Sequence, residues 1–141
     1  FAPTHLHEAL RLYHQNFEAS LQCKAPYTIA CVNVIAAETD EMARYLETSL
    51  QQLALGIIRN TRRPLPPPVE SMDGIWQGME KAQIQQMMHY SFVGSRETIK
   101  AQLTDFIEAT RVNEIMAVSH IFDHQDRLKS YEILSSLLSG E

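Results

Sequence analysis

Only two of the 141 residues are cysteine and only five are glycine. Two thiols do not build a disulfide framework, so a packed core has to hold the fold. Cys23 stands in a polar stretch and Cys31 in an apolar one. Both are expected as free thiols, which points to a reducing, cytoplasmic setting. No apolar run approaches the ~20 residues that cross a bilayer, so no membrane span is expected. Positive charge is scarce too: 12 Lys and Arg against 17 Asp and Glu leave a net charge of −5. Arg62-Arg63 is the one tight basic pair, so a nucleic-acid partner is not expected. A hydrophobic content of 45% supplies enough material for a real core.

That material is patterned. Leu6, Leu10, Tyr13 and Phe17 fall at helical spacing and predict a helix over 4–17, opened by Thr4. Residues 27–36 are apolar at both parities and rich in β-branched side chains. This predicts a strand covered on both faces, as in a parallel sheet. Thr39 or Asp40 opens a long helix to about Asn60, with an apolar stripe of Met42, Leu46, Leu50, Leu53 and Ile57. A short helix is expected over 79–88. Ser95 caps another, burying Ile99, Leu103, Phe106 and Ile107. Residues 114–121 form the second expected buried strand. A last helix spans 126–138 on Leu128, Tyr131, Leu134 and Leu138, with Gly140 placed to end it.

Between them lies Arg63-Pro64-Leu65-Pro66-Pro67-Pro68, which fits neither a helix nor a central strand. It reads as an extended or disordered connector; a plain surface loop and a proline-rich docking peptide are both open. Alternating strands and helices define an α/β class with parallel strands. Two strands make a poor sheet, however, and each asks for neighbours that these residues do not supply.

Few residues suggest chemistry. Asn33 is the one strongly polar residue in the middle of the first strand. It either pairs with a neighbouring strand or faces a ligand. His120 and His124 are four apart, the helical spacing of a metal pair, but they straddle a strand end. A hydrogen-bonded His120 and a solvated His124 are expected instead, with no metal site. The turn Ser91-Phe92-Val93-Gly94-Ser95-Arg96-Glu97-Thr98 opens a helix. It could hold a phosphate on free N–H groups, or simply be a capped helix start. Trp76, Met79, Met87 and Met88 read as packing. No nucleophile–base arrangement or carboxylate pair emerges, so no catalytic residue is assigned.

The tract from Val93-Gly94-Ser95-Arg96-Glu97-Thr98 through Asn113-Glu114-Ile115-Met116-Ala117-Val118-Ser119-His120-Ile121-Phe122-Asp123 to Arg127-Leu128-Lys129-Ser130-Tyr131-Glu132-Ile133-Leu134 resembles the C-terminal end of bacterial luciferase-like flavin monooxygenases. That family often writes V-G-[ST]-P-E and A-D-E-[LI] here. Arg96 replaces the usual Pro and Asn113 the usual Asp, both on connections. Phe1-Ala2-Pro3-Thr4 with Ala9-Leu10-Arg11-Leu12-Tyr13, and the strand Cys31 to Ala37, are also similar to the family.

The resemblance implies a (β/α)₈ barrel of ~250 residues or more. Residues 1–141 would be its C-terminal segment, with 27–36 and 114–121 as the seventh and eighth strands. Residues 60–78 would be an insertion or lid-like connector on the side where active sites form. It implies reduced FMN and molecular oxygen acting on a small organic substrate, with a flavin reductase as a possible partner. Asn33, Ala37 and His120 are carried over as pocket-wall candidates for the flavin, as are Ser119 and the residues between Asn33 and Ala37. A chain starting at Phe1 without Met is expected to be a processed or truncated piece. Such a piece is expected to be inactive, to lack a tight flavin site, and to form homo-oligomers through its exposed strands. The competing reading is an autonomous helical interaction module without catalysis.

Overall fold

A computed structural model describes residues 3–61 and 63–138. A short 3₁₀ turn, Pro3–His5, leads into α1 (Leu6–Gln15). There follow β1 (Ile29–Ala36), α2 (Asp40–Ile58), α3 (Gly78–Met87), β2 (Ser91–Gly94), α4 (Arg96–Thr110), β3 (Glu114–Val118) and α5 (His124–Leu138). The expected α/β alternation is present. The expected stop at Gly140 lies outside the described residues.

The sheet corrects the expectation of two strands. Among the described residues three strands pair in the order β2-β1-β3, all parallel. Ser91–Gly94, expected as a turn, is the third strand. It lies against Asn33–Ala36, while β3 lies against Ile29–Asn33. The two neighbours therefore grip opposite halves of β1. Both observed strands are also shorter than expected, beginning at Ile29 rather than at 27 and ending at Val118 rather than at 121.

One face of β1 is fully covered. Ala30, Val32, Val34 and Ala36 pack with Phe92 and with Ile99, Leu103 and Phe106 of α4. Leu6 and Leu10 of α1 and Ile133, Leu134 and Leu137 of α5 close the layer. Phe106 meets Tyr90 and Phe92 edge-to-face, at 5.2 and 5.3 Å.

The other face is divided, which corrects the expectation of strands buried on both sides. Ile35 and Ala37 are covered by Ala43, Leu46 and Leu50 of α2 and by Ile121. Further along the same face, Tyr27, Ile29, Cys31 and Met116 are exposed, Ile29 at 51% and Met116 at 53%. Apolar alternation marks both faces for burial, but within the described residues half of one face has no cover. Cys23 and Cys31 are free and exposed.

Caps explain the helix starts. The Thr39 hydroxyl accepts the Met42 N–H at 3.1 Å, so α2 opens where expected. Thr4 does not cap α1; it lies in the 3₁₀ turn, and His5 stands at the N-cap without a side-chain bond. The expected apolar stripes hold at their centres and fail at their margins. Leu46 and Leu50 are buried, but Met42, Ile57, Ile107, Leu128 and Tyr131 are exposed.

The proline-rich connector is extended and pinned along α2. Gln52 donates to the Pro67 carbonyl at 2.9 Å, and the Thr48 hydroxyl accepts the Val69 N–H at 2.8 Å. Arg59 holds Glu80 with two hydrogen bonds and donates to the Ile75 carbonyl. Met72, Val69 and Trp76 then pack on Ala54, Leu55 and Ile84. Met79 is 80% exposed and so does not pack as expected. No helix among the described residues is long and apolar enough to cross a membrane.

Candidate functional site

Parallel strands share a C-terminal end, and here three such ends meet: Gly94 of β2, Ala36 of β1 and Val118 of β3. Each leads into a helix, α4, α2 and α5 respectively. The fold thus gathers the turns Gly94–Ser95, Ala37–Thr39 and Ser119–Asp123 along one edge.

Asn33 and His120 are brought together there. Asn33 pairs in register with Val118, and His120 follows two residues later on the same face. Asn33 Oδ1 lies 2.5 Å from His120 Nδ1. Both residues are half-buried, at the boundary between the part of the face under α2 and the bare part with Cys31 and Met116. The two readings of Asn33 therefore meet in one geometry: it pairs with a neighbouring strand's side chain while standing beside open surface.

Ala37 does not join them. Its N–H donates to the Gly94 carbonyl at 3.1 Å, and it is buried in the cluster under α2. It also borders an open cleft of about 570 Å³ between α2 and α5, edged by Glu38, Met42, Leu128 and Lys129. Lys129 and Glu38 face each other there at 3.7 Å, both exposed.

Ser119 is spent on structure. Its hydroxyl donates to the Val34 carbonyl at 2.6 Å and meets the Ser130 hydroxyl at 3.2 Å. Ser130 accepts the Ala36 N–H at 3.0 Å. Past Asn33, β1 has no strand on its β3 side, and these buried hydroxyls satisfy its backbone instead. Tyr131 fixes the turn by accepting the Ser119 N–H at 3.1 Å. Sequence reading missed Ser130 because a serine on a helix carries no sign of a backbone partner on a distant strand.

The turn before α4 is a capped helix start. The Ser95 hydroxyl accepts the Thr98 N–H, and the Ser95 N–H donates to Asp40 Oδ1 at 2.6 Å. The Ser95 N–H, followed by the Thr98 and Ser95 hydroxyls, holds the Asp40 carboxyl below the usual aspartate range. A Cβ at Gly94 would stand 2.5 Å from Thr98 Cγ2 and 2.8 Å from Asp40 Oδ1, so glycine permits this approach. An acidic group already occupies the N–H that a phosphate would need.

His124 does not meet His120. It lies at the start of α5, exposed, with Nδ1 2.8 Å from Arg127 Nη2. Among the described residues no group of three or more His, Cys, Asp or Glu side chains gathers as a metal set would.

No protein-family model matches the chain. The Bacillus subtilis protein YvbT is 41% identical over 137 residues, which is 97% of this chain and 41% of YvbT. An Escherichia coli K12 protein named luciferase-like monooxygenase is 39% identical over 133 residues, or 94% of this chain and 40% of that protein. Among solved structures, the crystal structure of apo-MsnO8 superposes with a TM-score of 0.78 at 26% identity, covering 97% of this chain and 42% of that one. The chain thus spans about two fifths of the length of the relatives it matches. Its relatives include proteins named luciferase-like monooxygenases, and its fold is that of part of apo-MsnO8.

Proposed function

We propose that these residues form the C-terminal part of a luciferase-like monooxygenase that uses reduced FMN and oxygen on a small organic substrate. The observation that carries this reading is the half-bare sheet face. It is apolar, it belongs to parallel strands, and it carries a half-buried polar pair where β3 ends beside the middle of β1. In a (β/α)₈ barrel that face is the interior, β1 and β3 are adjacent barrel strands, and the missing cover is the rest of the barrel. The segment α2 to α3 with its pinned connector is then an insertion beside the mouth. The likeness to the E. coli protein over 94% of the chain supports the same reading.

The residues present fit part of a flavin. Asn33 and His120 offer hydrogen-bonding groups next to an apolar surface, which suits the ring system. The α4 N-terminus does not suit the phosphate, because Asp40 holds it. The phosphate would then sit on residues elsewhere in the barrel. Bound reduced flavin supplies the electrons for oxygen activation. The part played by this chain is to orient the ring through Asn33 and His120 and to exclude water with α2.

The test uses the full-length protein. Mixed anaerobically with reduced FMN and then with oxygen, it should bind flavin and change the rate of flavin reoxidation relative to free FMN. A protein that binds no flavin and leaves that rate unchanged would leave the other reading, an interaction module that self-associates through the bare face. The segment expressed alone should be inactive and should associate with a second copy.

A further inference from the structure

Asn33 and His120 each have one hydrogen-bonding group left over. A carboxamide oxygen accepts and does not donate, so the 2.5 Å contact puts the proton on His120 Nδ1. In the neutral form of the ring the lone pair is then on Nε2. Asn33 Nδ2 keeps its two N–H bonds. Among the described residues neither Nε2 nor Nδ2 has a hydrogen-bond partner. The pair therefore offers one acceptor and one donor on the same end of the same sheet face. Turning the amide over reverses both roles at once and still leaves one of each.

A ligand edge that answers this pair carries a donor beside an acceptor. Resting on the flavin reading above, we propose that Asn33 and His120 hydrogen-bond the imide edge of the flavin pyrimidine ring. His120 Nε2 takes the ring N–H and Asn33 Nδ2 donates to the adjacent carbonyl. Asn33 thus has two duties: it fixes the histidine tautomer and it contacts the ring. The half-buried setting at the edge of the part covered by α2 strengthens both bonds relative to water. A negatively charged edge or a purely apolar one would leave one group of the pair unmet.

The experiment compares reduced FMN with its N3-methyl analogue on the full-length protein, by anaerobic fluorescence titration. Methylation removes the ring N–H and puts a methyl group in its place, and the His120 variants assign the resulting loss to this residue. The wild-type protein should bind the analogue about tenfold more weakly. His120→Asn keeps an N–H near the Nδ1 position but places nothing at Nε2, so it should bind FMN and analogue alike. His120→Gln reaches towards the Nε2 position and should retain part of the discrimination. Thermal melting of each variant separates binding from folding. Equal wild-type affinity for FMN and analogue overturns the proposal, as does a His120→Asn protein that still discriminates. A wild-type protein that binds no FMN at all overturns the flavin reading itself, and the role of the pair with it.

Discussion

The hydroxyl of Ser130, on α5, accepts the backbone N–H of Ala36, on β1, across 3.0 Å of buried interior. It stands where the next residue of β3 would have bonded had that strand continued. Ser130→Ala leaves a buried N–H unsatisfied and should destabilise the protein by about 1–3 kcal/mol. Ser119→Ala should cost a similar amount. Because the two hydroxyls touch, the double variant should lose less than the sum. Urea unfolding of the four proteins checks the cycle; strict additivity would mean the hydroxyls act independently.

Acid stability should depend on Asp40. Its carboxyl is held low by the Ser95 N–H, then by the Thr98 and Ser95 hydroxyls. A lowered carboxylate contributes stability that is present above the ordinary aspartate value of about 3.9 and is lost as pH falls through the lowered value. Asp40→Asn should therefore melt below wild type at pH 7. The gap should narrow as pH drops below about 3.9. Glu8 and Glu80, also held low, titrate identically in both proteins, so the difference isolates Asp40. A gap constant from pH 7 to pH 2.5 would contradict this assignment.

Much of this was legible in the sequence, and the exceptions share a cause. Thr39 and Ser95 cap their helices as expected because a cap bonds its own neighbours. Asp40 at Ser95 and Ser130 at Ala36 were not legible, since each joins residues far apart in the chain. Ser91–Gly94 escaped notice because four residues carry too little periodicity to mark a strand. Ile29, Cys31 and Met116 look buried because their side chains are apolar, but periodicity does not say what, if anything, covers them. Asn33 and His120 each stood out singly; only the pairing of Asn33 with Val118 puts them in contact.

The connector should be released by a single isosteric change. Thr48→Val keeps the volume but removes the hydroxyl that accepts the Val69 N–H and donates to the Tyr45 carbonyl. About 1–2 kcal/mol of local stability should go with it. Limited proteolysis should then cut between 63 and 71 faster than in wild type, while global melting changes little. Unchanged cleavage would show that packing of Met72 and Trp76 holds the connector by itself.

The barrel reading makes the two thiols unequal. Both are exposed among the described residues. If the barrel closes over this face in the full-length protein, iodoacetamide should modify Cys31 at least about tenfold more slowly than Cys23. Mass spectrometry of tryptic peptides measures the ratio. Equal rates would place Cys31 on an outer surface and count against a closed barrel.

The central position of β1 also fixes an order of events during synthesis. Its pairing with β2 joins Asn33 to Ser91, and its pairing with β3 joins Ile29 to Glu114. At roughly 5–20 residues per second, the ribosome delivers the first of these partners some seconds after β1 itself. Throughout that interval the run of Val, Ile, Ala and Cys is on the nascent chain without either of these two partners. α2 is made next, opens on its own Thr39 cap, and can cover Ile35 and Ala37 before either partner strand exists. The long helix then shields the C-terminal end of β1 without waiting for either partner strand.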